Sequence, residues 1–220
     1  MTLGFASPLF ARKGKHITDL AEILFDMNEA AKRVKTISAN LDYTKVTVVV
    51  DDKSTESGMF YFRHGKGTEI RIEIQKPEEK IILFRKNKGE IFLPKINQIQ
   101  EYNLEQKSDM VQQFLLLGFG TDTNELKKNY EIKYVREEDL QGDTTALLEL
   151  LPHRQTVAAQ IAKIELWVSE ESWLPAQQKF YESGGDYLIA GYSAVKVNRI
   201  LPQSTFELNA PDNAKRVKMN

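Results

Sequence analysis

The chain has no cysteine among its 220 residues. Disulfides, thiol nucleophiles and thiolate metal sites are therefore excluded. It also has no apolar run of about 18 residues, the length that a membrane-crossing helix requires. The three histidines, His16, His64 and His153, include no pair at metal-ligand spacing. No Gly-x-Ser-x-Gly elbow marks a serine hydrolase. The glycine pairs in Gly65-Lys-Gly67 and Gly118-Phe-Gly120 read as a turn and a helix stop rather than a phosphate loop. Neither sign of charge dominates, with 30 Lys and Arg against 31 Asp and Glu, so no basic stripe invites nucleic acid. Acids such as Glu69, Glu73, Glu165 and Asp186 fall on wet strand faces or in turns. Catalysis has no anchor here.

What the chain does have is a succession of short strand patterns from Leu41 to Leu208. Thr68–Gln75, with Ile70, Ile72 and Ile74 alternating against Glu69, Arg71 and Glu73, predicts a strand with one buried and one wet face. Ile81–Arg85 and Glu90–Leu93, joined by Lys86-Asn-Lys-Gly89, read as a hairpin. Leu41–Val50, Met59–Arg63 and Gln98–Leu104 complete the first set, with Asp51–Gly58 as a polar turn cluster. Tyr130–Glu137, Thr144–Leu151, Ile161–Ser169, Ala176–Glu182, Tyr187–Val197 and Ser204–Leu208 form the second set. Gln141-Gly-Asp143 and Ser183-Gly-Gly-Asp186 supply turns.

Two helices punctuate the strands. His16–Ile37 places Ile17, Leu20, Leu24, Met27, Ala31 and Val34 on one stripe, with Thr18 or Asp19 as the cap. Ser108–Gly118 is a strongly apolar insertion carrying Met110, Val111, Phe114, Leu115 and Leu117. Thr123–Asn129 adds a short polar helix. The fold class is mainly β (α+β): an incomplete antiparallel barrel of about 11 strands, with a helical lid on its concave side. Residues 15–210 read as one domain and residues 211–220 as a C-terminal tail. Residues 1–14 read as a flexible N-terminus, or as the remnant of a signal peptide whose start lies upstream.

The order of these elements resembles the LolA family of periplasmic lipoprotein carriers and related lipoprotein-sorting proteins. The likeness runs from Ile17 to Leu208. It rests on Leu20–Met27 (Leu-x-x-Ile-Leu-x-x-Met), Gly58-Met-Phe-Tyr-Phe-Arg63, Glu69–Pro77 and the Lys80–Pro94 hairpin. Leu148-Glu-Leu-Leu-Pro152, Ile164-Glu-Leu-Trp-Val168, Leu174-Pro175 and Asn198–Phe206 continue it. The resemblance implies a half-open barrel that holds lipoprotein acyl chains or another lipid in an apolar cavity. It also implies work in the periplasm, peripheral to the membranes, with an inner-membrane donor, an outer-membrane acceptor and no cofactor. Ile70, Ile72, Ile74, Leu83, Phe92, Met110, Phe114, Leu117, Leu148, Leu166 and Tyr192 are the expected cavity and lid residues. In that family an Arg on an early strand, just before a Pro, holds the lid closed; Arg63 is the nearest match, with His64-Gly-Lys-Gly67 following in place of the Pro. The alternative is a non-catalytic envelope scaffold that uses the same fold as a docking face. A lipid-modifying enzyme ranks third, because no nucleophile–base set appears.

Overall fold

The structure, a computed structural model, describes residues 19–65, 67–85, 87–104, 117–120 and 122–219. Helix α1 (Leu20–Arg33) opens the chain, and Asp19 caps it by accepting from the Ala21 amide at 2.9 Å. Its buried stripe is Ile23, Leu24, Met27 and Ala30, spaced three and four residues apart so that one side of the helix faces the sheet. The predicted helix runs on to Ile37, but the structure ends it at Arg33 and gives Thr36 and Ile37 to a strand. The reason lies in Asn198. Its Oδ1 accepts from the Lys35 amide at 2.7 Å, its Nδ2 donates to the Arg33 carbonyl at 2.9 Å, and its own amide bonds Thr36. A side chain from the far end of the chain thus takes the backbone groups that another helical turn would use.

One twelve-stranded sheet follows, in the order β12-β6-β5-β4-β3-β2-β1-β11-β10-β9-β8-β7, and it does not close on itself. The strands are β1 (Thr36–Thr47), β2 (Asp52–His64), β3 (Thr68–Lys76), β4 (Lys80–Arg85), β5 (Lys88–Leu93) and β6 (Gln98–Asn103). After helix α2 (Thr123–Asn129) come β7 (Tyr130–Leu140) and β8 (Asp143–Pro152). Helix α3 (Gln155–Ala158) precedes β9 (Ile161–Ser169), β10 (Pro175–Glu182), β11 (Tyr187–Val197) and β12 (Lys215–Met219). β1 to β11 form the expected antiparallel, open barrel-like sheet. β12 pairs parallel to β6, so the sheet is mixed.

Several boundaries differ from the sequence reading. Asp51–Gly58 is not a turn cluster, because β2 starts at Asp52 and its polar start pairs with β1 from Thr47 back to Leu41. The Thr44 and Thr55 hydroxyls meet there at 3.1 Å. Val48–Val50 leave the strand for a 3₁₀ turn. Ser204–Leu208 is not a strand: Gln203–Phe206 is a 3₁₀ turn that sinks Phe206 and Leu208 against Leu83, Phe92 and Ile99. Lys215–Met219, within the expected tail, is β12, and Arg216 ties it to Glu101 at 2.6 Å and Glu90 at 3.2 Å. The expected helix Ser108–Gly118 lies outside the described residues as far as residue 116. The Gln141-Gly142 turn is as expected, with both residues at positive φ, 58° and 87°, as a two-residue hairpin turn of type I′ requires.

The Asn198 clasp generates a test. Asn198 holds φ at 57°, a conformation that Asn tolerates and Ala does not. Asn198→Ala should cost about 1–2 kcal/mol in urea unfolding, from the strained backbone and the unpartnered groups together. Asn198→Gly removes the strain alone and should recover only part of that loss.

Candidate functional site: the inner face of the open sheet

Register decides which side chains share a face. Phe60 stands opposite Ile72, Ile72 opposite Ile82, Ile82 opposite Ile91, and Ile91 opposite Gln100. A second row runs Phe62, Ile70, Phe84, Gly89 and Tyr102. Side chains directly opposite across a ladder point to the same side, so these rows draw one apolar face across β2 to β6. The same face continues through Leu41 and Tyr192 to Leu166 and Leu148. This is the inner face, the one that α1 covers.

The cover is uneven. Ile23, Leu24 and Met27 of α1 pack with Leu148, Leu150, Ile164 and Leu166 in one buried cluster, which Leu117 and Leu126 join. Ala30 and Val34 lie with Phe60, Phe62, Ile70, Ile74 and Phe119 in a second. Phe119 sits among aromatics, its ring centre 5.2 Å from Phe60 and 4.8 Å from Tyr192. Gly118 brings this segment in with φ at 81°, and a Cβ there would stand 2.6 Å from Pro175 Cγ. Only glycine meets both demands. Beyond α1, on β3 to β6, Ile72, Ile82, Phe84, Ile91 and Tyr102 are only half-buried. Among the described residues, part of the inner face is closed core and part is a half-buried apolar strip.

The inner face carries few polar groups. Gln178, 1% exposed, donates from Nε2 to the Leu117 carbonyl at 2.6 Å and accepts at Oε1 from the Tyr192 hydroxyl at 3.1 Å. This chain of bonds fixes Leu117 and Phe119 to the sheet without leaving a buried donor or acceptor empty. Burial drives the Tyr192 phenol well above its ordinary pKa. Tyr130, 2% exposed, has a buried hydroxyl with no hydrogen-bond partner, and burial pushes its pKa up to about 12.

The expected site residues divide. Ile70, Ile72, Ile74, Leu117, Leu148, Leu166 and Tyr192 lie on the inner face. Leu83 and Phe92 do not: Leu83 pairs with Arg71 rather than with an isoleucine, so both point outward into the cluster with Phe206 and Leu208. Met110 and Phe114 lie outside the described residues. Arg63 is on the outer face, paired with Glu69 Oε2 from Nε at 2.8 Å and stacked 4.3 Å over the Phe206 ring. Arg71 beside it donates to the Glu207 carbonyl at 2.6 Å, so both arginines hold the C-terminal segment rather than an inner helix. Sequence reasoning missed Ile82 and Ile91, which strand alternation marks as a pair but register alone assigns to the inner face.

One cleft takes in Tyr102 of the inner-face row, and a smaller one takes in Tyr192. The first, of about 1170 Å³, is also lined by Arg63, Glu69, Arg85, Lys88, Glu101 and Lys218 near the β2–β3 and β4–β5 turns. On the outer face, burial alone would raise the pKa of Glu90, yet hydrogen bonds from Lys88, Arg85 and Arg216 outweigh it and hold the carboxyl below its ordinary value. Among the described residues no group of three or more His, Cys, Asp or Glu is placed to hold a metal ion. No helix among them is long and apolar enough to cross a membrane.

An open sheet with one apolar face and a helix laid across it defines the half-barrel class. The chain belongs to the family of the outer membrane lipoprotein carrier protein LolA, whose family model matches residues 32–209. No curated protein matches the chain. Among solved structures, an uncharacterized conserved protein from Thermus thermophilus matches with a TM-score of 0.60 and 13% identity, over 91% of this chain and 100% of that one. The Pseudomonas aeruginosa MucA/MucB complex matches at 0.52 and 12% identity, over 85% of this chain and 60% of that one. The Mycobacterium tuberculosis lipoprotein LppX matches at 0.50 and 10%, over 84% and 99% respectively. At such identities the likeness is one of fold.

Tyr130 sets a pH test. A phenol whose pKa rises from 10.0 to about 12 on folding binds its proton more tightly in the native state. Stability from this source is complete below pH 10 and falls as pH climbs towards 12. Tyr130→Phe should flatten the fall of stability between those values, measured by urea melts at graded pH, and an unchanged slope would contradict the assignment.

Proposed function

We propose that the protein is a periplasmic carrier that shelters acyl chains of a lipoprotein or another lipid on its inner face. One observation carries the reading: the strip Ile72, Ile82, Phe84 and Ile91 is apolar, contiguous and half-buried in a chain of the LolA family. Each methylene taken from water onto such a surface contributes roughly 0.8 kcal/mol, so a long chain needs a long strip rather than a point contact. The strip adjoins the Phe60–Phe119–Tyr192 cluster, and cargo deeper than the strip would have to displace packing that α1 and residues 117–119 now supply. Loading and release are then an exchange of one apolar cover for another. Donor and acceptor proteins at the two membranes complete this reading. The site residues we assign are Ile70, Ile72, Ile74, Ile82, Phe84 and Ile91, with Leu148, Leu166 and Tyr192 deeper in.

A second reading, an envelope protein that binds a protein partner without moving lipid, draws support from the fold likeness to the MucA/MucB complex. Native mass spectrometry of gently purified protein separates the two. A carrier retains lipid adducts, and a scaffold arrives bare. Ile91→Asp places a carboxylate on the strip, where its desolvation costs several kcal/mol, and should weaken binding of a fluorescent fatty acid at least tenfold while the fold persists. Binding as tight as that of the parent would remove the strip from the site.

A further inference from the structure

The β1–β2 hairpin ends in Val48-Val49-Val50, and these side chains are 52%, 86% and 69% exposed. The sequence pattern runs the first strand on to Val50, whereas the structure ends it at Thr47 and leaves these valines in an exposed turn. The hairpin also outruns β3, although on its other side β1 stays paired with β11 as far as Val46. β1 and β2 stay paired to Thr47 and Asp52, whereas pairing of β2 with β3 starts only at Ser57. Asp52 to Glu56 have no partner on β3, so on that side the tip projects five residues, roughly 17 Å. The projection is stiff. The Val48 amide donates to Asp186 Oδ1 at 2.9 Å, the Asp51 amide closes the turn onto the Val48 carbonyl, and the Thr44 and Thr55 hydroxyls bond across the ladder.

We propose that Val48–Val50 is a membrane-docking tip that enters the interface of a bilayer. Size and shape choose this occupant. Three valines at these exposures offer on the order of 300 Å², against the about 1,000 Å² that a specific protein interface buries. A narrow convex point suits a fluid surface that closes around it, not a rigid partner or a second copy. Charge chooses the kind of bilayer. Lys45 and Lys53 stand against Asp51, Asp52 and Asp186 beside the tip, so no excess of positive charge draws it to anionic lipid and the contact is apolar rather than electrostatic. The proposal complements the carrier reading, since a carrier must meet the membrane from which it takes its cargo, but the tip is built from residues outside the acyl-binding strip.

The test is flotation of the full chain with phosphatidylcholine vesicles, beside the variant Val48→Ser/Val49→Ser/Val50→Ser. The parent should float with the vesicles, equally at low and high salt, and the triple variant should lose at least tenfold in partitioning with an unchanged thermal melt. A single Val49→Trp variant should show blue-shifted emission on adding vesicles and quenching by brominated acyl chains. Equal flotation of parent and triple variant, or no flotation of the parent, overturns the proposal. So does a tip whose substitution changes only self-association. Fatty-acid binding in solution, read in the same samples, keeps the outcomes apart. Its loss would sink the carrier reading, while a floating parent would leave the tip in place.

Discussion

Everything in this molecule follows from an apolar face wider than the helix that covers it. The ladders carry that face from β2 to β6 and from β1 round to β7. α1 is 14 residues long, about 21 Å at 1.5 Å per residue, and adjacent strands are spaced by about 4.8 Å. A helix of that length lies over a few strands and not over twelve. The segment at Leu117–Phe119, held by Gln178, extends the cover. Among the described residues the strip Ile72–Ile82–Ile91 is only half-buried.

The outer face shows what full coverage looks like. Leu83, Phe92 and Ile99 form an apolar patch on the other side of the same strands, and the C-terminal segment fills it with Phe206 and Leu208. Arg63 over Phe206 and Arg71 on the Glu207 carbonyl fasten that segment. Arg216 then fastens β12 to Glu90 and Glu101. Charged side chains do the holding at the rim, and apolar ones fill the centre. The two faces therefore differ in kind: one is sealed by the chain's own end, and the other is left partly open.

Much of this is legible in the sequence, and the failures share a cause. Ile161–Ser169 and Tyr187–Val197 read as strands with the bounds that the structure gives them, because β-branched and aromatic residues with turns at either end leave no competing pattern. Alternation puts Leu83 and Phe92 each on one face of its strand, but it cannot say which face is inner. That needs the register, in which Arg71 rather than Ile72 meets Leu83. The same limit applies to Arg63, whose outward side beside Glu69 and Phe206 is set by register and not by its position along the chain. Lys215–Met219 is unreadable as a strand because its pairing rests on backbone bonds to β6 and on Arg216 with distant carboxylates. The end of α1 depends on Asn198, more than 160 residues away, and no local propensity carries that information.

A carrier of the proposed kind must meet the acyl chain with its inner face, and methyl-labelled NMR tests that directly. With isoleucine and leucine methyls labelled, a lysophospholipid held below its micelle-forming concentration should give intermolecular contacts to Ile72, Ile82 and Ile91. Leu83 and Ile99 on the outer face should show none. Contacts confined to the outer-face methyls, or absent from Ile72, Ile82 and Ile91 at saturating lipid, would contradict the assignment of the inner face as the lipid site.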